Sequence, residues 1–479
     1  MMRKYFFILV LMLLAGCAPT TTEPSETTEQ DLFAQYVLEA QQLFHTNVEI
    51  GITEEQDALE LEHITYEAKD GIITKVTKEI EPLPLPALNE YKIANNTFAL
   101  NNVYTLSWST ANNAITSLHI TRNNETLKQQ VYAMPLKERV GQLIVTGFEG
   151  TTVTPALQQA VEEHFISNVI LFSKNITGHT QLLSLSENFH ALRHREPLWL
   201  SIDEEGGAVS RLPDELVTLP TATQLAATHS ADDVQQIAKH LGSALAAYGI
   251  QVDYAPVMDV NSNPQNPVIG TRSFSNDPNE VANFALSFHR GLASANVVSS
   301  MKHFPGHGDT NVDSHFDLPI LNHSLDELNA TELIPFRRAI SDNVPMIMVG
   351  HLLIPALDAE QPTSISKKII GDFLRTELGY NGLIITDDIT MEALALPIET
   401  IAVQTIDAGA DLVLIGHGLD KALAAQQAII DAVENGTLSE TRVNRSVMRV
   451  IAEKRKHGEA NVVDFSVAEW NKTMNELLQ

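Results

Sequence analysis

From Met134 onward, short apolar runs alternate with helical patterns, and this alternation constrains the fold more than any other feature of the chain. The runs are Leu143-Ile144-Val145, Asn168 to Phe172, Leu198 to Ile202, Gln251 to Met258, Val297 to Met301, Met346 to Val349, Gly382 to Thr386 and Asp411 to Ile415. Short apolar runs bounded by turn residues read as strands buried on both faces. The helices between them carry their own signals. Ser230 caps a segment with Val234, Ile237, Leu241, Leu245 and Tyr248 on one face, and Gly249 ends it. Asp277-Pro278 opens another, with Val281, Phe284, Ala285, Phe288 and Leu292 inward. Eight such units in roughly 330 residues predict an α/β fold, a (β/α)8 TIM-type barrel. A doubly wound open sheet is the alternative, but no Gly-rich dinucleotide loop follows the first strand.

The region before the barrel differs. Residues 31–131 read as a small α+β domain: a helix from Asp31 to Phe44, then alternating runs at Ile64-Thr65-Tyr66, Ile72 to Ile80, Tyr104 to Trp108 and Ile115 to Thr121. Asp70-Gly71 between the first two runs is a hairpin turn signal, so the sheet is expected to be antiparallel. No catalytic constellation stands out there. The barrel is expected over residues 134–458, with a C-terminal extension over residues 459–479.

The first residues read as a targeting segment. Arg3 and Lys4 precede an apolar run, Tyr5 to Leu14, too short to span a bilayer. Leu14-Ala15-Gly16-Cys17 then resembles a bacterial lipoprotein box, which implies cleavage of residues 1–16 and lipidation of Cys17. Cys17 is the only cysteine, so an exported chain has no disulfide to form. Residues 17–30 are rich in Thr, Glu, Pro and Ser and are expected to be a disordered tether. The expected location is therefore outside the cytoplasm, on the cell membrane or outer membrane. A net charge of −29 argues against a nucleic-acid partner, because acids outnumber bases two to one.

A barrel of this kind collects its chemistry just after the strands, and polar residues do gather there. Asp203-Glu204-Glu205-Gly206-Gly207 and Arg211 follow the third run. Asp259, Asn261 and Gly270-Thr271-Arg272 follow the fourth, His351 the sixth, and Asp387-Asp388 the seventh. The densest cluster follows the fifth: Lys302-His303-Phe304-Pro305-Gly306-His307-Gly308, then Asp313-Ser314-His315. So many ionisable groups on a Gly-rich loop point to a site.

The pattern K-H-F-P-G-H-G-x4-D-S-H resembles the signature of the β-N-acetylglucosaminidase branch of glycoside hydrolase family 3. The resemblance covers about Met134 to Gly458. Family members carry the nucleophile in S/T-D-D-x-x-M-E, here Thr386-Asp387-Asp388-Ile389-Thr390-Met391-Glu392. The resemblance thus implies Asp387 as nucleophile, with Asp388 its competitor, since neighbouring strand-end side chains point to opposite sides. It also implies His315 as general acid/base, held by Asp313, and Asp203, Arg211, Arg272, Lys302 and His303 as sugar binders. His307 and Asp309 are expected to shape the loop, and His351 to lie under the pocket. The chain departs from the family in two places: Ala208 stands where relatives commonly have Arg, and the G-G-V-I-L-F form of the second strand is Ser167-Asn168-Val169-Ile170-Leu171-Phe172 here.

The expected activity is retaining removal of terminal β-linked N-acetylglucosamine from peptidoglycan fragments or chitooligosaccharides. It needs no metal or cofactor, and a monomer is expected. A β-glucosidase or β-xylosidase, a phosphorylase of the same family, and a non-catalytic sugar-binding lipoprotein are the alternatives. Imidazole that has given up its proton is neutral, so phosphate can approach the glycosyl-enzyme without like-charge repulsion.

Overall fold

The computed structural model describes residues 58–61, 64–69, 72–84, 97–99, 104–111, 114–122, 124–312 and 317–479. Eight parallel strands close on themselves: β7 (Ile144–Thr146), β8 (Asn168–Leu171), β9 (Trp199–Ile202), β10 (Val252–Asp253), β11 (Val298–Phe304), β12 (Met346–Val349), β13 (Leu383–Thr386) and β14 (Val413–Ile415). Each pairs with its sequence neighbours, and β14 pairs with β7. The ring shuts where Ile385 bridges Leu412 and the Leu412 N–H donates to the Ile384 carbonyl at 3.0 Å. This is the (β/α)8 barrel expected from the alternating runs, and all eight runs contain a strand.

Two strands differ from expectation at their ends. The fourth run yields only Val252–Asp253 as strand. Pro256 has no N–H to give to a ladder, and contact resumes beyond it through the Val257–Lys302 bridge. The fifth strand is longer than expected and runs through Lys302-His303-Phe304. Lys302 and His303 therefore belong to β11, not to the loop after it. Their backbones stay paired: the Lys302 carbonyl accepts from Met258 N–H at 2.6 Å, and the Phe304 carbonyl from Gly350 N–H at 3.0 Å.

The helices follow their caps. The Ser230 hydroxyl accepts from the Asp233 N–H and opens Ala231–Ala247; Asp277 accepts from Asn279 and Glu280 and opens Pro278–Ser294. These helices pack closely because glycines face the contact. A Cβ on Gly291 would lie 2.6 Å from that of Ala238, and one on Gly242 2.8 Å from that of Ala295. Phe284 is only half-buried; it stacks on Phe274 and packs against the edge of the core.

Before the barrel, six antiparallel strands form one sheet: β1 (Ala58–Leu61), β2 (Ile64–Lys69), β3 (Ile72–Pro84), β4 (Thr97–Ala99), β5 (Tyr104–Ala111) and β6 (Ala114–Arg122). The order is β1-β2-β3-β6-β5-β4. Lys69 pairs with Ile72, as a hairpin requires. β1 and β4 were not anticipated. The expected helix from Asp31 to Phe44, the tether, the Asp70-Gly71 turn and Cys17 lie outside the described residues.

The barrel's closing seam is fixed by a fully buried acid at its N-terminal end. Asp411 accepts from the Ile384 N–H of β13 at 3.1 Å, from Ser446 Oγ at 2.6 Å, and from the Arg375 guanidinium. Removing one partner of a buried ion pair strands the other, at a cost of about 3–5 kcal/mol. Asp411→Ala is accordingly expected to lower the free energy of urea unfolding by about that much. An unchanged urea midpoint would show that the seam does not depend on this acid.

Candidate active site

At the C-terminal end of the barrel a cavity of about 350 Å³ opens among the strand ends, within the usual range for small-ligand sites. Asp203, Arg211, Arg272, Lys302, His303 and Asp387, six of the residues singled out in the sequence, all line it.

One wall is a network of buried charges. Lys302 Nζ lies 2.6 Å from Asp203 Oδ1 and 2.6 Å from Glu205 Oε1. Arg272 grips the same Glu205 with two bonds of 2.8 Å, Nε to Oε2 and Nη2 to Oε1. Burial opposes ionisation of Glu205, but the Lys302 and Arg272 charges prevail and hold its carboxyl well below the usual range. Burial also works against the Lys302 ammonium, and Asp203 and Glu205 keep its pKa above the ordinary lysine value. The four groups sum to zero charge. Lys302 has three donors, so one remains for a ligand.

His303 is held from behind. Its Nδ1 lies 2.7 Å from Asp259 Oδ2, and the His303 and His307 N–H groups donate to the same carboxylate at 3.2 and 2.7 Å. With Nδ1 donating to the acid, Nε2 is left as the free ring nitrogen. Burial raises the cost of the Asp259 charge, yet the adjoining His303 brings its pKa below the usual value. His307 does shape its loop, since its carbonyl accepts from Asn266 at 2.8 Å, but its ring also lines the cavity. Asp309 meets His323 at 2.9 Å and plays the expected loop role.

The two acids after β13 separate cleanly. Asp388 is consumed by structure: its Oδ1 accepts from Thr390 N–H at 2.9 Å, Thr390 Oγ1 at 2.8 Å and Gly416 N–H at 2.9 Å. Asp387 accepts only the Asp388 N–H, at 2.8 Å on Oδ1. Its other oxygen has no bond to any described residue. Burial disfavours the Asp387 charge, but His303, His351, the Asp388 N–H and Lys302 together bring its pKa down to about 2. It is a carboxylate at every pH at which the protein would normally work. His351 lies under the pocket as expected, fully buried, with Nε2 bonded to the Asp388 carbonyl at 3.0 Å and Nδ1 to Ser364 Oγ at 2.7 Å.

Arg211 contrasts with Arg272. Among the described residues its guanidinium donates only to the Ser210 carbonyl, at 3.3 Å, and it stays half-buried at the cavity wall. Ala208 is exposed and does not line the cavity. Asp313 and His315 lie outside the described residues. Three participants went unrecognised in the sequence. The sequence places Glu205 and Asp259 at strand ends without marking a role for either. His417 also lines the cavity, stacked on Phe172 at 5.1 Å; it lies just after β14, where the strand-end rule would have found it.

A parallel barrel whose strand ends set a singly bonded, ionised acid beside anchored charged groups has the layout of a TIM-type glycoside hydrolase. The family description "Glycosyl hydrolase family 3 N terminal domain" matches residues 135–452, and the chain belongs to that family. Beta-hexosaminidase A of Pseudoalteromonas piscicida is 33% identical over 335 residues, 64% of this chain and 56% of that one, so the chain spans a little over half of this relative. Beta-hexosaminidase LpqI of Mycobacterium tuberculosis is 37% identical over 267 residues, 54% of this chain and 68% of that one. A glycoside hydrolase family 3 β-N-acetylglucosaminidase from Paenibacillus sp. str. FPU-7 superposes with a TM-score of 0.69 at 36% identity, covering 72% of this chain and 68% of that chain.

Glu205 is the hub of the charged wall. Glu205→Gln keeps the shape but leaves Lys302 and Arg272 short of one negative charge in a buried place. A drop of about 100-fold in kcat/KM is expected, the equivalent of about 3 kcal/mol. The far-ultraviolet circular dichroism should be unchanged. Near-normal kcat/KM in this variant would show that Asp203 alone suffices to hold the cations.

Proposed function

We propose that the protein is a retaining exo-β-N-acetylglucosaminidase acting on terminal β-linked N-acetylglucosamine. The observation that carries this reading is Asp387: ionised, facing a small cavity, with one oxygen unclaimed by any described residue. A retaining glycosidase needs such a carboxylate to trap the oxocarbenium-like carbon, and an acid to protonate the departing oxygen. Lys302 and Arg211 supply donors, and Asp203 and the free nitrogen of His303 acceptors, for the hydroxyls of one sugar ring. Charged donors and acceptors in a partly dry pocket make strong, directional hydrogen bonds. Similarity to β-hexosaminidases and to a β-N-acetylglucosaminidase structure favours N-acetylglucosamine as that sugar.

His315 is the proposed general acid/base, oriented by Asp313, on the strength of the Asp313-Ser314-His315 motif. An imidazole protonates the leaving oxygen in the first step and activates the incoming nucleophile in the second. Peptidoglycan fragments and chitooligosaccharides are the proposed substrates.

Asp387→Asn is expected to reduce release of nitrophenol from its β-N-acetylglucosaminide by more than about 10⁴-fold. Activity within tenfold of wild type would remove Asp387 from the mechanism. His315→Ala should behave differently: loss of the acid hurts departure of a sugar alcohol far more than of nitrophenol, so chitobiose turnover should fall at least about 100-fold further. Equal losses on both substrates would argue against a general-acid role. Products from chitobiose with and without phosphate, separated by chromatography, distinguish hydrolysis from phosphorolysis.

Export and lipid anchoring through Cys17 are proposed from the basic start, the short apolar run and the Leu14-Ala15-Gly16-Cys17 box. No helix among the described residues is long and apolar enough to cross a membrane. Cys17→Ala should move the protein out of the membrane fraction on cell fractionation; its retention there would contradict the anchor.

A further inference from the structure

The loop from Asp203 to Pro220 carries Asp203, Glu205 and Arg211, and among the described residues no carboxylate pairs with the Arg211 guanidinium to aim it. The position of its guanidinium is therefore set by the backbone on which it stands. On one side that backbone is tied internally: Glu204 Oε2 accepts from Arg211 N–H at 2.6 Å and Leu212 N–H at 3.1 Å, and Gly207 N–H donates to the Leu219 carbonyl at 2.8 Å. On the other side it is held by a segment beyond the family-matched residues, which end at 452. Asn471 accepts from Val217 N–H at 2.8 Å through Oδ1, and its Nδ2 donates to the Glu215 carbonyl at 2.7 Å. A single amide thus satisfies a backbone donor and a backbone acceptor two residues apart, much as a neighbouring strand would.

Asn471 is itself fixed in place. It lies on the helix Val467–Leu477, whose Trp470 stacks on His240 at 4.9 Å and 13°. The same two residues exchange hydrogen bonds, Trp470 Nε1 to the His240 carbonyl at 3.1 Å and His240 Nε2 to the Trp470 carbonyl at 2.9 Å. Met474 is fully buried. Ahead of the helix, Val463 N–H donates to the Ala247 carbonyl at 2.8 Å, and Asp464 meets His179 at 3.0 Å. The His179 N–H in turn reaches the Glu215 carboxylate at 3.3 Å. Both ends of this strut converge on Glu215.

We infer that residues 462–477 form a brace for the sugar-binding loop, with Asn471 a positioning residue that acts through Arg211. The inference rests on the proposed glycosidase reading for its kinetic form, though not for its structural form. Untying Asn471 frees the loop backbone to take water, so Arg211 spends less time aimed into the cavity. Sugar binding weakens while the chemistry at Asp387 continues.

The test is a double-mutant cycle on the full chain, with the nitrophenyl β-N-acetylglucosaminide as substrate. Asn471→Ala should raise KM about tenfold with kcat within about twofold of wild type, a loss of binding expressed before chemistry. In an Arg211→Ala background the same change should alter KM by less than about twofold, because its target is gone. Asn471→Asp, which keeps the acceptor for Val217 and loses the donor for Glu215, should fall between; it also serves if the alanine variant folds poorly. Lys472→Ala, on the exposed face of the same helix, should change nothing. Equal KM effects of Asn471→Ala in both backgrounds, or a fall in kcat with KM unchanged, overturn the inference. Limited trypsinolysis provides a readout that needs no substrate: cleavage after Arg211 should speed up about tenfold in Asn471→Ala, in line with a loop opened by about 1.4 kcal/mol. If wild type turns over no N-acetylglucosaminide, the proposed function fails, while an accelerated cut after Arg211 still upholds the brace. An unchanged cleavage rate sinks the brace whatever the substrate proves to be.

Discussion

A lysine ammonium buried at the mouth of the barrel is the interaction on which the site depends. Charge moved from water into protein costs several kcal/mol unless partners meet it with good geometry. Here two carboxylates, Asp203 and Glu205, each approach Lys302 Nζ to 2.6 Å, and Arg272 completes a neutral set by clasping Glu205. Replacing the set with apolar side chains would stabilise such a barrel as easily as it would weaken it. Under the proposed function the set acts as pre-organisation: donors and acceptors stand fixed before a sugar arrives, so little reorganisation is needed when charge develops. At Asp387, His303, His351 and Lys302 oppose the desolvation that would otherwise keep its proton on.

The pair Asp387-Asp388 shows how a fold assigns roles to two identical side chains. Both stand where β13 ends. Asp388, at the edge of the cavity, ties Thr390 and Gly416 together through Oδ1 and so links the loops after β13 and β14. Its Oδ1 is thereby fully engaged, and Oδ2 faces His417 Nε2 at 3.9 Å. Asp387 turns to the cavity and is bonded once. The distinction is one of hydrogen-bond occupancy: Asp388 is held by three donors, whereas Asp387, the proposed nucleophile, is held by one.

Much of this was legible in the chain itself. The eight apolar runs marked the strands because parallel barrel strands are buried on both faces and cannot hide their hydrophobicity. The Ser230 and Asp277 caps marked helix starts because a side-chain oxygen must meet the free N–H groups there. Polar residues at strand ends, from Asp203 to Asp387, marked the cavity. What stayed hidden depends on three dimensions. That Lys302 and His303 sit inside β11 follows from Met258 and Gly350 continuing the ladder beside them, which no local pattern announces. That Glu205 and not Glu204 holds the cations is a matter of which way each side chain leaves a Gly-rich turn. The hold of Asn471 on Val217 spans 254 residues of sequence.

The opposite end of the barrel supplies the contrast that separates a site from a scaffold. Lys454, as buried as Lys302, enters the N-terminal end and donates to Ser167 Oγ at 2.6 Å and to the Ser167 carbonyl at 3.1 Å, with its ammonium 5.7 Å from the Trp199 ring. Its bonded partners are all neutral. Burial therefore dominates, and its pKa falls to about 7. Lys302, with two carboxylates, is driven the other way. Both lysines fill a hole in the frame, but only one keeps a permanent charge with a donor to spare. In a barrel of parallel strands the C-terminal ends open onto loops that can bring in acids from several elements, as the loop after β9 brings Asp203 and Glu205. The N-terminal end is closed by helices packed for stability. Permanent charge also gathers at the N-terminal end around Asp411, but there it is sealed inside the frame. At the C-terminal end it faces an open cavity, and that difference is what places the candidate site at this end.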